Sequence, residues 1–76
     1  MPRSLKEIAR EINTNWQNVY FGARPYLNAM YSLDTINDKY GMDDAKSIVL
    51  YFLSNAATWR GDVAKRIKLE LKSLVK

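Results

Sequence analysis

Seventy-six residues carry 12 Lys and Arg against 8 Asp and Glu, a formal charge of +4, and include neither His nor Cys. Those absences exclude a disulfide framework, a Cys/His zinc site, a catalytic thiol and imidazole acid–base chemistry. A chain this short makes one domain, spanning 1–76, and its 47% apolar and 26% charged residues belong to a folding rather than a disordered sequence.

The opening stretch enters an amphipathic pattern at once, with Glu7 and Glu11 set among its apolar residues. A secretory signal needs about 7–15 uninterrupted apolar residues, and a membrane helix about 18. The longest apolar run, Ile48 to Leu53, has six. The expectation is a cytoplasmic protein without a membrane segment.

Ser4 and Glu7 have the spacing of a capping box, in which each side chain accepts from a backbone N–H that the helix leaves unpaired. Leu5, Ile8, Ala9 and Ile12 recur at i, i+3, i+4 and i+7, which predicts a first helix with one apolar face. Asn13-Thr14-Asn15 favours a turn. Trp16, Val19 and Tyr20 resume helical spacing, and Pro25 ends or kinks that segment by pushing Arg24 out of the α region. Tyr26 to Tyr40 predicts a further helix with Leu27, Met30, Tyr31, Leu33 and Ile36 available for burial, and with Gly41 as its left-handed stop. Asp43 and Asp44 suit the positive end of the next helix. Its run Ile48-Val49-Leu50-Tyr51-Phe52-Leu53 is apolar around most of the circumference, which marks the central buried element. Gly61 punctuates the chain again, Asp62 is placed to cap, and Val63, Ala64, Ile67, Leu71 and Leu74 form the stripe of a last helix. The fold class expected is all-α, a small single-domain bundle of about four or five short helices.

Charge is unevenly spread. Both ends are basic, whereas Asp34, Asp38, Asp43 and Asp44 outnumber Lys39 and Lys46 in the middle. On the last helix Lys65, Lys68, Lys72 and Lys76 fall on the side away from Val63, Ile67 and Leu71. Such a face can track a phosphate backbone. It serves equally as a solvated face whose cations suit a helix C-terminus. Leu69 lies among those lysines, and it becomes informative only beside another exposed apolar group.

The segment from Leu5 to Tyr20 resembles a helix-turn-helix. Ile8-Ala9 with Ile12 look like its first helix, Asn13 stands where the family places a left-handed Gly, and Val19 takes the apolar position of the second helix. The resemblance implies that Asn15, Gln17 and Asn18 face outward, where Asn and Gln side chains pair with adenine in the major groove. Arg10, Arg24, Lys65, Lys68 and Lys72 would then lie on phosphates, and such units usually read DNA as homodimers. Thr14, Gly22 and Pro25 depart from the pattern, and a plain αα-corner shares it.

Other motifs carry less. The nine aromatic residues from Trp16 to Trp59 are needed for a core in so small a domain. Any that stay exposed become protein contacts, and Trp16 with Tyr20 is the pair to watch. Arg60-Gly61-Asp62 spells an adhesion tripeptide, but Gly61 and Asp62 already serve as helix punctuation. Glu7 with Glu11 and Asp34 with Asp38 share helix faces as solvated pairs, without a cleft to split their pKa values.

The blocks from Trp16 to Leu27 and from Tyr51 to Gly61 are similar to segments of short phage and prophage proteins of unassigned function. That resemblance implies a regulator of nucleic-acid transactions or a binder that redirects a host enzyme or defence complex, and it assigns no residue. The reading is therefore a non-enzymatic nucleic-acid-binding protein using Arg10, Asn15, Gln17, Asn18, Arg24, Lys65, Lys68 and Lys72. The alternative is an inhibitor or adaptor that docks on a host protein through Trp16, Tyr20 and Leu69. Neither reading calls for a cofactor, a metal or a small-molecule substrate.

Overall fold

In the computed structural model, which describes residues 3–75, four helices and a short hairpin follow one another. Their order is α1 (Leu5–Asn15), α2 (Arg24–Met30), β1 (Lys39–Tyr40), β2 (Asp43–Asp44), α3 (Ala45–Ser54) and α4 (Asp62–Leu74). Helix α1 packs on α2 and α4, and α3 packs on the same two, so the helices enclose one core. The domain is mostly helical, and the hairpin corrects the all-α expectation.

Helix α1 starts as its sequence predicts. The Glu7 N–H donates to Ser4 Oγ at 3.1 Å and the Ser4 N–H to Glu7 Oε1 at 3.2 Å. The Leu5 and Lys6 N–H groups donate to the carbonyls of Asp34 and Leu33 at 2.9 and 3.0 Å, so the chain leaving α2 satisfies donors that a helix start leaves open. Leu5, Ile8, Ala9 and Ile12 are all buried.

Three expected features differ. Helix α1 continues through Asn13 and Thr14, where the Thr14 hydroxyl donates to the Arg10 carbonyl at 2.9 Å, within the helix, and does not cap a turn. Among the described residues only Gly41 and Gly61 have positive φ, so Asn13 makes no left-handed turn. Residues 16–23 then form turns instead of a second helix. Trp16 leaves helical geometry at φ −92°, ψ 89°. Pro25, which lacks an N–H, is accommodated in the first turn of α2.

The helix expected over 26–40 stops at Met30. Beyond it, Asp38 Oδ2 accepts from the backbone N–H groups of Asp34 and Thr35 at 2.9 and 3.1 Å. That local side-chain bonding competes with helix continuation, and Leu33 drops into the core. Lys39 pairs with Asp44 and Tyr40 with Asp43. Gly41, at φ +63°, opens the tight turn between them, so its left-handed backbone serves a hairpin rather than a helix end. Asp44 caps α3 by accepting from the Ser47 N–H at 2.8 Å. Gly61, not Asp62, is the N-cap of α4.

Ile48, Val49 and Phe52 of α3 are buried, whereas Leu50 and Tyr51 are exposed, so this helix has one core face and is not enclosed all round. Trp16 and Trp59 stack at 5.6 Å with rings 9° from parallel. Phe52 meets both indoles edge-on at 6.2 and 6.5 Å. On the opposite flank of α4, the Arg3 guanidinium bonds both oxygens of Glu70, at 2.6 and 3.0 Å, and Glu11 at 2.6 Å. Arg66 also pairs with Glu11.

Hydrogen bonds from Arg3 and then Arg66 hold the Glu11 carboxyl below its ordinary pKa of 4.5. Its stabilising effect is therefore complete above that ordinary value and is lost as pH falls through the lowered one. Glu11→Gln is expected to cost about 1 kcal/mol near neutrality, since solvent damps partly exposed pairs. Urea unfolding at about pH 7 and about pH 3 should show that cost shrinking with acid; an equal cost at both would contradict the ion-pair account.

Candidate nucleic-acid interface

The connection between α3 and α4 is a run of turns. The Asn55, Ala56 and Trp59 N–H groups donate to the carbonyls of Phe52, Leu53 and Ala56 at 3.0, 3.3 and 3.1 Å. This path swings the Trp59 indole into the core, where it is 3% exposed. Its Nε1–H reaches Asn15 Oδ1 at 2.9 Å. Its backbone carbonyl accepts from Lys68 Nζ at 2.7 Å. One residue thus ties the end of α1 to the middle of α4, and polar groups from both gather around it.

The structure brings together most of the residues that sequence reasoning nominated, on a surface that reasoning did not foresee. Asn15, Gln17 and Asn18 line a depression of about 530 Å³, shared with Thr58, Arg60 and the two indoles. Lys65 and Lys68 line an adjoining one of about 290 Å³, with Trp59, Arg60, Gly61 and Ala64. Lys72 lies close enough for its charge to act on Lys68. Burial first, then the charges of Lys72 and Arg60, push the Lys68 ammonium below its ordinary pKa. An anion seated there would relieve that repulsion.

Arg10 and Arg24 stand apart. Arg24 Nη1 donates to Asn13 Oδ1 at 3.3 Å. Asn13 and Asn15, two positions apart on a helix, point to different flanks of α1. Arg10 is exposed and lines neither depression. Lys76 lies outside the described residues.

The alternative contact set does not converge. Trp16 is buried at 7% exposure and stacked in the core, so it offers no free ring face. Tyr20 is half exposed and packs on Phe21 at 4.9 Å, over a depression with Ser54, Asn55, Ala57 and Thr58, of which only Thr58 also lines the depression beside Gln17. Leu69 is exposed on α4, at helical spacing from Lys65 and Lys72. Arg60, Thr58 and the Phe21 ring were not singled out by sequence. No spacing rule links residue 15 to residue 59, so only the folded chain shows that Arg60 belongs beside Gln17 and Asn18.

The carboxylates in ion pairs are Glu11, Glu70 and Asp34, and their partners are Arg3, Arg66 and Lys6. Among the described residues Arg60, Lys65, Lys68 and Lys72 have no ion pair. One flank of α4 is therefore neutralised and the other is not. No group of three or more metal-ligating side chains converges among the described residues, and no helix there is long and apolar enough to cross a membrane. Comparison of the chain with protein-family models, curated proteins and solved structures finds no match.

The geometry makes Trp59 a structural hub, and its substitution measures that role. Trp59→Phe keeps a ring and drops the donor to Asn15, with an expected cost of about 1–3 kcal/mol. Trp59→Ala should cost about 3–5 kcal/mol, a large share of the stability of a small domain. Urea midpoints for both variants check this; an Ala variant as stable as the parent would contradict it.

Proposed function

We propose that this protein is a small, non-enzymatic nucleic-acid-binding regulator that works in the cytoplasm. The observation that carries the reading is the meeting, around Trp59, of Arg60, Lys65 and Lys68, with Lys72 close behind and none of the four in an ion pair among the described residues, with the amides of Asn15, Gln17 and Asn18. Lysine and arginine supply contacts to phosphate and most of the affinity, whereas amides can read bases. Because residues 16–23 are turns, the amides are presented by a loop, not by a recognition helix in a major groove. The resemblance of the blocks Trp16–Leu27 and Tyr51–Gly61 to short phage and prophage proteins implies a regulator of nucleic-acid transactions or a binder of a host protein, and a phage-encoded protein would act in the host cell.

A second reading, docking on a host protein, is favoured by one observation: Phe21 is 80% exposed and packed against half-exposed Tyr20. Exposed aromatic pairs of this kind serve as anchors in protein interfaces. It takes a different surface from the cationic one, so the two readings separate by substitution.

Lys65 and Lys72 are exposed and make no side-chain bond among the described residues, so their removal should leave the fold intact. Lys65→Ala with Lys72→Ala is expected to weaken binding to every sequence and to lower the slope of log K against log salt by about 1 per lost phosphate contact. Lys46→Ala, on the exposed side of α3, serves as the control. Fluorescence anisotropy across a salt series measures both. Equal slopes for the double variant and the parent would overturn the assignment of these lysines, and no binding at low salt would overturn the nucleic-acid reading itself.

A further inference from the structure

The two depressions that share Trp59 and Arg60 differ in chemistry. The one at the end of α1 offers neutral donors and acceptors, from Asn15, Gln17, Asn18 and the Thr58 hydroxyl, over the edges of two indoles. The one against α4 offers Lys65 and Lys68, with Arg60 standing between the two. A neutral polar pocket joined to a cationic one has the layout of a nucleotide unit, in which a base with mixed hydrogen-bonding edges is tethered to a phosphate.

We infer that these adjoining depressions hold one unpaired nucleotide of a single strand, its base among Gln17, Asn18 and Thr58 and its phosphate on Lys65 and Lys68. The inference rests on the nucleic-acid reading and narrows it. In duplex DNA the base edges lie at the floor of a groove and are reached by a protruding helix or ribbon. Here the exposed amides line a shallow, open depression and stand on no protruding helix, because the buried Trp16 draws the start of their loop toward the core. A splayed-out base can enter such a pocket, as in single-strand recognition generally. Trp59 is too buried to serve as a stacking platform. Arg60 is exposed, and its planar guanidinium is the group free to stack on a base. Asn15 is already bonded to the Trp59 indole, so it shapes the wall, while Gln17 and Asn18 make no side-chain bond among the described residues.

The test is fluorescence anisotropy of the full chain with labelled oligonucleotides of about 12 residues: single-stranded DNA, single-stranded RNA of the same sequence, and the DNA duplex, at about 50 mM salt. One or both single strands should bind about tenfold more tightly than the duplex, the equivalent of one well-held base. The pair of DNA and RNA strands shows whether the 2′-hydroxyl matters to the same site. Gln17→Ala with Asn18→Ala should bring single-strand affinity down to the duplex level and leave the salt dependence in place. A duplex bound as tightly as, or more tightly than, either strand would overturn the inference and leave the proposed function standing. An undiminished single-strand preference in the double variant would overturn the placing of the base. Absence of binding to all three probes would overturn both the inference and the function on which it rests.

Discussion

The parallel stack of Trp16 on Trp59 holds the end of α1 and the approach to α4 in one place. Trp16 is the C-cap of α1 and Trp59 lies just before α4. Neither segment is regular, so the stack and the bonds around it set the position of Gln17 and Asn18 relative to Arg60. Offset and stacked aromatic pairs add about 0.5–1.5 kcal/mol beyond the area they bury, and here the edges of Phe52 close the cluster from α3. The bond from the indole to Asn15 adds direction to a contact that burial alone would leave free to slide. The bond from Lys68 to the Trp59 carbonyl does the same on the other side.

Helix α4 divides the charge. Its Arg66 and Glu70 side meets Arg3 and Glu11, a four-residue network that links Arg3, ahead of the Ser4 cap, to both helices. Its Lys65, Lys68 and Lys72 side meets Arg60 and makes no ion pair among the described residues. Two acidic residues of the middle segment are engaged locally instead. Asp38 caps the loop after α2, and Asp44 caps α3. The uneven charge along the sequence therefore becomes an uneven charge across the surface, and a cationic field of this kind attracts an anionic partner over several ångströms.

Local signals in the sequence were legible wherever a single turn or face decided the outcome. The Ser4–Glu7 capping box, the Leu5–Ile12 stripe and the stripe of α4 follow directly from residue spacing. The spacing of Trp16, Val19 and Tyr20 misleads because burial of one indole against a residue 43 positions away outweighs helical periodicity. The stretch after Met30 misleads for a different reason. Its apolar residues keep helical intervals, yet Asp38 bonds two backbone donors and Gly41 supplies the turn of a hairpin. The candidate site was legible as residue types, with amides at 15, 17 and 18 and lysines at 65, 68 and 72. Its assembly was not, because Arg60 and Thr58 join it through tertiary packing alone.

On the proposed function, one surface built on Trp59 receives the nucleic acid. Titration of the isotopically labelled protein with a single-stranded oligonucleotide, followed by ¹H–¹⁵N correlation NMR, tests it most directly. The account predicts that shifts concentrate at the Gln17, Asn18, Arg60, Lys65 and Lys68 amides and at the Trp59 indole N–H, with Lys39 to Asp44 unmoved. Shifts centred instead on Tyr20 and Phe21, or on the hairpin, would contradict it.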